Sequence, residues 1–130
     1  MNCEGICRNE HSQEHNCREN RLRRGPSSIH LVDPDLVFEK LALKEGDAFL
    51  DLGCGAGDYS IQAAKKVGTS GTIYALDLWP EMLNKFCEDA MEQGIHNIHP
   101  VISDIRKSID ISDRSMDVCL IATVLHMMDI

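Results

Sequence analysis

Asp51-Leu52-Gly53-Cys54-Gly55-Ala56-Gly57-Asp58 stands where one periodicity ends and another begins. Before it, Ala48-Phe49-Leu50-Asp51-Leu52 is a compact apolar run bounded by glycines, the pattern of a short strand buried on both faces. After it, Tyr59 to Val67 has helical spacing, with Ile61, Ala64 and Val67 on one side. The three glycines therefore occupy a strand-to-helix turn. Glycines at alternate positions let a backbone approach a ligand closely and leave the helix N-terminus facing it.

The same alternation continues outward. Upstream, Asp33 followed by Pro34 is a helix start, and Leu36, Val37, Lys40 and Leu41 give a short amphipathic helix ending before Gly46. Downstream, Gly68 to Gly71 is a turn and Thr72 to Asp77 a second strand. Pro80 to Gln93 forms the next helix, with Met82, Leu83, Phe86, Ala90 and Met91 facing inward and Gly94 stopping it. Ile98 to Ile102 is a third strand, interrupted by Pro100, and Met116 to Ala122 a fourth. Strands alternating with helices predict an α/β fold, a Rossmann-like parallel sheet with right-handed crossovers and flanking helices.

The chain has 130 residues, 43% of them hydrophobic, and a formal charge of -8 from 13 basic and 21 acidic side chains. That is one domain with a genuine core. The acidic balance argues against a general nucleic-acid binder. The apolar run Val118 to Leu125 is too short to span a bilayer, and the polar start Met1-Asn2-Cys3-Glu4 is no secretory signal. The expectation is a cytoplasmic protein away from membranes. Residues 1–25 carry a net +1 and the remainder -9, so a polar leader, 1–25, gives way to a folded domain, 26–130.

Spacing sharpens the reading of the glycine turn. Asp77, at the end of the second strand, follows Gly57 by 20 residues. A carboxylate there can accept hydrogen bonds from vicinal ribose hydroxyls. Strand context, glycine turn and spaced acid together indicate a nucleoside cofactor. The sixth place counted from Gly53, a glycine in the dinucleotide fingerprint, is Asp58, an acid where a pyrophosphate would sit. With Asp51 on the other side of the turn, the carboxylates suit a ligand bearing an amino group or sulfonium and repel phosphate. Asp77 also reads as a cap for the helix beginning near Pro80.

Phe49 to Gly57 resembles the first motif of class I S-adenosylmethionine-dependent methyltransferases. Ala75-Leu76-Asp77-Leu78-Trp79-Pro80-Glu81-Met82-Leu83 is similar to the segment that follows in that family. Ile102-Ser103-Asp104-Ile105 and Ser115 to His126 resemble its third- and fourth-strand motifs, the latter in the small-molecule branch with the quinone-biosynthesis and arsenite methyltransferases. The resemblance implies S-adenosylmethionine as cofactor and a small-molecule methyl acceptor. It implies that Asp51, Gly53 and Gly55 cradle the methionine moiety, with Gly57 holding the turn close and Cys54 beside the cofactor as a space-filler. Asp77 would bind the ribose, Leu78 pack on adenine, Asp104 and Ile105 meet its edge, and Ala122 line the site near the methyl group. Asp104 also reads as a simple turn residue. The family sheet has seven strands, so the four here are expected in the order 3-2-1-4, with the fourth at an edge open to self-association. On this reading the chain is an N-terminal piece supplying the cofactor-binding half.

Methyl transfer from a sulfonium needs in-line positioning more than a base, so no catalytic residue is assigned. His126 reads equally as a base near the methyl group and as a helix-start histidine. Cys3, Cys7, His11 and His15 recur every four residues, with Cys17 beyond, but a slanting row on a helix cannot meet one tetrahedral centre, and no metal site is assigned. Ser27, Ser28 and His30 precede the first strand, where relatives close over the substrate. The alternatives to a methyltransferase are a non-catalytic nucleoside-cofactor module and a fragment of a nicotinamide-dependent oxidoreductase.

Overall fold

The structure is a computed structural model that describes residues 28–122. Cys3, Cys7, His11, His15, Cys17, Ser27 and His126 lie outside the described residues. A turn of 3₁₀ helix at Ser28–His30 leads into α1 (Pro34–Leu41), β1 (Ala48–Leu52), α2 (Asp58–Val67), β2 (Thr72–Asp77), α3 (Pro80–Glu92), β3 (Ile98–Ile102) and β4 (Val118–Leu120). The strands form one four-stranded sheet in the order β3-β2-β1-β4, and every pairing is parallel. The parallel pairing agrees with the alternating pattern of the sequence, and the order with the one that the family resemblance implies.

Burial follows the pleat. Phe49, Ile73, Ala75 and Ile98 share a core with Ala63, Ala64 and Val67 of α2 and with Leu83, Phe86, Cys87 and Ala90 of α3. Asp51 stands two residues from Phe49 on the same side of β1 and is therefore carried into this apolar layer. The proline that interrupts the third strand lies in an edge strand, paired with β2 on one side among the described residues, where a missing N–H is tolerated.

α1 is capped as its sequence requires, with Asp33 accepting from the Asp35 N–H at 3.0 Å. The N-terminal segment docks on α2 through a buried hydrogen bond of 2.9 Å between the Ser28 and Tyr59 hydroxyls, with the Phe38 ring tilted against Tyr59. At the far end of α2, Asn97 Nδ2 donates to the carbonyls of Ala64 (3.3 Å) and Gly68 (2.8 Å). These carbonyls also accept the N–H groups of Gly68 and Gly71, so Asn97 adds a second donor to each and ties the end of α2 to the start of β3. Asp117 does the same for the sheet's lower rim, accepting the Ala48 N–H on its side chain at 2.8 Å and donating its own N–H to the Ala48 carbonyl.

Four expectations from periodicity are corrected. Leu83, Phe86 and Ala90 of α3 are buried as expected, but Met91 is exposed (40%) and Met82 only half-buried, and the fully buried Cys87 completes the stripe in their place. Leu36 is 52% exposed, and Phe38 is the buried residue of α1. On α2 the buried face is Tyr59, Ser60, Ala63, Ala64 and Val67, leaving Ile61 half-buried at its margin. The fourth strand is Val118–Leu120 rather than 116–122, and Cys119 and Ile121 are exposed although the run is apolar throughout. The reason is shared. A stripe on a helix or strand is set by what lies opposite it, and α1 and β4 sit at the margin of the described core.

Candidate cofactor-binding site

β1 ends in a turn through which the chain passes from the sheet into α2. Gly53, Gly55 and Gly57 have φ of 77°, 55° and 81°, all in the left-handed region that side chains disfavour. Gly57 is doubly constrained. A Cβ there would overlap the ring of Phe86, which is wholly buried under α3. The turn is pulled onto the sheet by the N–H groups of Gly53 and Cys54, both donating to the Leu76 carbonyl, at 2.8 and 2.9 Å.

Asp77 binds the two sides of the site together. Its Oδ2 accepts the Gly55 N–H at 2.9 Å and its Oδ1 the Trp79 N–H at 3.0 Å. The glycine turn and the spaced acid, 22 residues apart, are thus one hydrogen-bonded unit. Trp79 is the N-cap of α3 and its own side chain makes no capping bond, so the Asp77 bond to the Trp79 N–H also braces the start of that helix. A carboxylate has about four lone-pair positions, so each oxygen keeps capacity for another donor. Asp77 is half-buried and faces that turn, and two vicinal hydroxyls fit what remains.

Asp51 is the buried acid of the site, 2% exposed, with the Ser60 hydroxyl donating to its Oδ2 at 2.6 Å. Burial raises its pKa from 3.8 to a net value of about 6, opposed by the Ser60 hydrogen bond and helped by the charges of Asp77 and Asp58. Burial also raises the Cys54 thiol well above its ordinary value, with Asp51 and Asp77 adding to it. Cys54 is consequently a protonated, buried filler rather than a nucleophile, as its position in the sequence suggests. Asp58 occupies the first turn of α2. There it already complements the helix's positive end, where a pyrophosphate would have to bind.

The remaining sequence-predicted residues lie around this centre in different states. Leu78 (43% exposed) and Trp79 (37%) follow Asp77 with open apolar surface. The β3 end is tied to the site by Ser103 N–H donating to the Asp77 carbonyl at 3.0 Å. Asp104 follows, but Arg106 holds it: Nε donates to Oδ1 at 2.8 Å and Nη2 to Oδ2 at 2.6 Å, and the Arg106 N–H also meets Oδ1. These bonds keep its carboxyl below the usual range and give it the geometry of a turn residue. Ile105 is half-buried, and Ala122 packs against the core at the last described position. Ser28 is buried on Tyr59, and His30 is exposed beside Asp58 on the wall of a separate cleft of about 350 Å³.

Ser60 was not singled out by the sequence reading. Its signal was present, because Ser60, Ala63, Ala64 and Val67 form an i, i+3, i+4, i+7 stripe of small and apolar residues. A serine inside such a stripe has to find a buried partner.

Residues 43–130 match a family described as a methyltransferase domain. The chain belongs to the class I S-adenosylmethionine-dependent methyltransferases. This methyltransferase chain resembles a SAM-dependent methyltransferase from Aquifex aeolicus at 34% identity and a TM-score of 0.64, over 82% of this chain and 56% of that one. It is 34% identical to the demethylmenaquinone methyltransferase of Lactobacillus johnsonii over 84 residues, 65% of this chain and 34% of the relative. Over 72 residues it is 32% identical to the 23S rRNA (uracil(1939)-C(5))-methyltransferase RlmD of Acinetobacter baylyi, 55% of this chain and 16% of that one. Matches to the first curated relatives span only 27% to 34% of those proteins' lengths. No helix among the described residues is long and apolar enough to cross a membrane.

Proposed function

We propose that this methyltransferase chain binds S-adenosylmethionine at the β1–α2 turn and serves methyl transfer to a small-molecule acceptor, supplying the cofactor-binding half of the enzyme. The observation that carries the reading is the Asp77 carboxylate, hydrogen-bonded to the glycine turn while keeping acceptor capacity on both oxygens. Bound there, S-adenosylmethionine supplies a methyl group activated by its positive sulfonium.

The chain's own residues bind and orient. Asp77 accepts the ribose hydroxyls and Leu78 packs on the adenine. Asp51, Gly53 and Gly55 hold the methionine moiety, Gly57 keeps the turn against α3, and Cys54 excludes water beneath it. Ile105 meets the adenine edge; Asp104 does so only when Arg106 yields one of its oxygens. Ala122 lines the site near the methyl group. Acids at positions 51, 58 and 77 favour a cationic ligand over a phosphate, which supports S-adenosylmethionine over a nicotinamide dinucleotide.

The relatives' names span a quinone precursor and ribosomal RNA as acceptors. The charge of -8 supports the small molecule, because a polyphosphate acceptor would be repelled. Calorimetric titration with S-adenosylhomocysteine tests the site. Asp77→Ala should weaken binding by about 1–3 kcal/mol, the scale of hydrogen bonds to a charged group. Unchanged affinity would overturn the assignment. Methyl label from S-adenosylmethionine appearing in RNA rather than in the small-molecule fraction of an extract would overturn the acceptor class.

A further inference from the structure

Ser60 has no solvent exposure, and its hydroxyl donates to Asp51 Oδ2 at 2.6 Å. That length falls in the range of hydroxyl donors to ionised carboxylates. Serines within helices commonly turn outward or bond a carbonyl one turn back; this one is held inward by the stripe it shares with Ala63, Ala64 and Val67. The titratable and hydrogen-bonding groups around Asp51 come from four places. α2 contributes Ser60 and Asp58 and the end of β2 contributes Asp77, while the Cys54 thiol of the glycine turn and the Cys119 thiol of β4 feel the Asp51 charge and stay neutral. None of these carries positive charge. Burial and the two acids all oppose ionisation, and both influences that favour it, a side-chain and a backbone hydrogen bond, belong to Ser60.

We propose that Ser60 is a positioning residue that aims Asp51 at the cofactor's ammonium and favours its charged form, and that in mildly acidic solution cofactor binding completes the ionisation by releasing the Asp51 proton. The inference rests on the cofactor site proposed above and deepens it. The proton balance is simple. When the carboxylic acid is the resident form, ligand binding sends one proton to solvent and leaves the carboxylate paired with the ligand's positive charge. No covalent bond to the ligand forms or breaks. Because burial places the titration at about 6 in the ligand-free protein, the device operates in mildly acidic solution.

The test is calorimetric titration of the full chain with S-adenosylhomocysteine across pH 5 to 8.5, in buffers of different ionisation enthalpy. For the wild type, Kd should fall by about tenfold per pH unit below the bend and level off above it, with proton release on the acidic side. Ser60→Ala should move the bend upward by about one unit or more, the scale of one hydrogen bond to a charged group. For a one-unit shift its affinity near pH 6.5 would then be about threefold weaker, and by pH 8.5 it would return to within a factor of about two of the wild type. Ser60→Thr, which keeps the hydroxyl, should restore the wild-type bend. An equal loss at every pH, or a threonine variant that behaves like alanine, would show a merely structural serine and overturn the proposal. Binding without any bend in the wild type would also overturn it, while leaving the cofactor site standing; no binding at any pH would remove the site itself. Carboxyl NMR of the ligand-free wild type provides a readout should Ser60→Ala not fold. Asp51 should titrate near pH 6, and its midpoint should fall on adding S-adenosylhomocysteine; an unmoved midpoint counts against the coupling.

Discussion

Gly57→Ala probes the geometry on which the site depends. Two separate costs arise there. The backbone has φ of 81°, where a residue with a Cβ loses about 1–2 kcal/mol. The added methyl would also overlap the Phe86 ring, and because that ring is fully buried beneath α3 it has no open space to swing into. Overpacking of this kind costs about 1–3 kcal/mol. The sum is about 2–5 kcal/mol, a large part of the stability of a domain this size. Urea unfolding of the wild type, Gly57→Ala, Phe86→Ala and the double variant separates the two parts. With the ring removed, Gly57→Ala should cost only the backbone share of about 1–2 kcal/mol, so the cycle should show a favourable coupling of about 1–3 kcal/mol. An equal cost in both backgrounds would refute the claim that Phe86 sets the position of the turn. A total below about 1 kcal/mol would refute the left-handed geometry as well.

Asp51 links stability to pH as well as binding. Its folded pKa, about 6, lies above the ordinary 3.8, so its contribution is fully present below about pH 4 and is lost as pH rises through 6. The loss amounts to about 3 kcal/mol. Relative to the wild type, Asp51→Asn should therefore gain about that much between pH 4 and 7 in urea unfolding; a constant offset across this range would contradict the burial argument. Asn97→Ala should cost about 1 kcal/mol by removing the second donor of the Ala64 and Gly68 carbonyls, which keep the N–H groups of Gly68 and Gly71. Amide exchange should quicken in the last turn of α2, and acceleration elsewhere instead would contradict the assigned role.

Much of the site was legible because its signals are local. Glycine placement, the acid before the turn and the acid at position 77 are each properties of a few consecutive residues. The alternation of strands and helices needs only periodicity, and parallel pairing follows from the crossovers it implies. Inward faces were less legible. The centres of the α2 and α3 stripes were legible and their margins were not, because a helix with apolar residues on both sides of its midline turns toward whatever surface it must cover. Leu36 and Met91 read as core and are exposed for the same reason.

By itself the sequence determined that a buried strand passes through a glycine turn into a helix, with an acid 20 residues on, and hence the fold and the class of ligand. Those depend on backbone sterics and hydrophobic spacing, which act over short separations along the chain. Tertiary structure decided which groups each acid meets. Asp51 found Ser60, Asp77 found the N–H groups of Gly55 and Trp79, and Asp104 was claimed by Arg106. Burial and hydrogen-bond partners set the charge state of a carboxylate, and both exist only once β1, β2 and α2 have packed together.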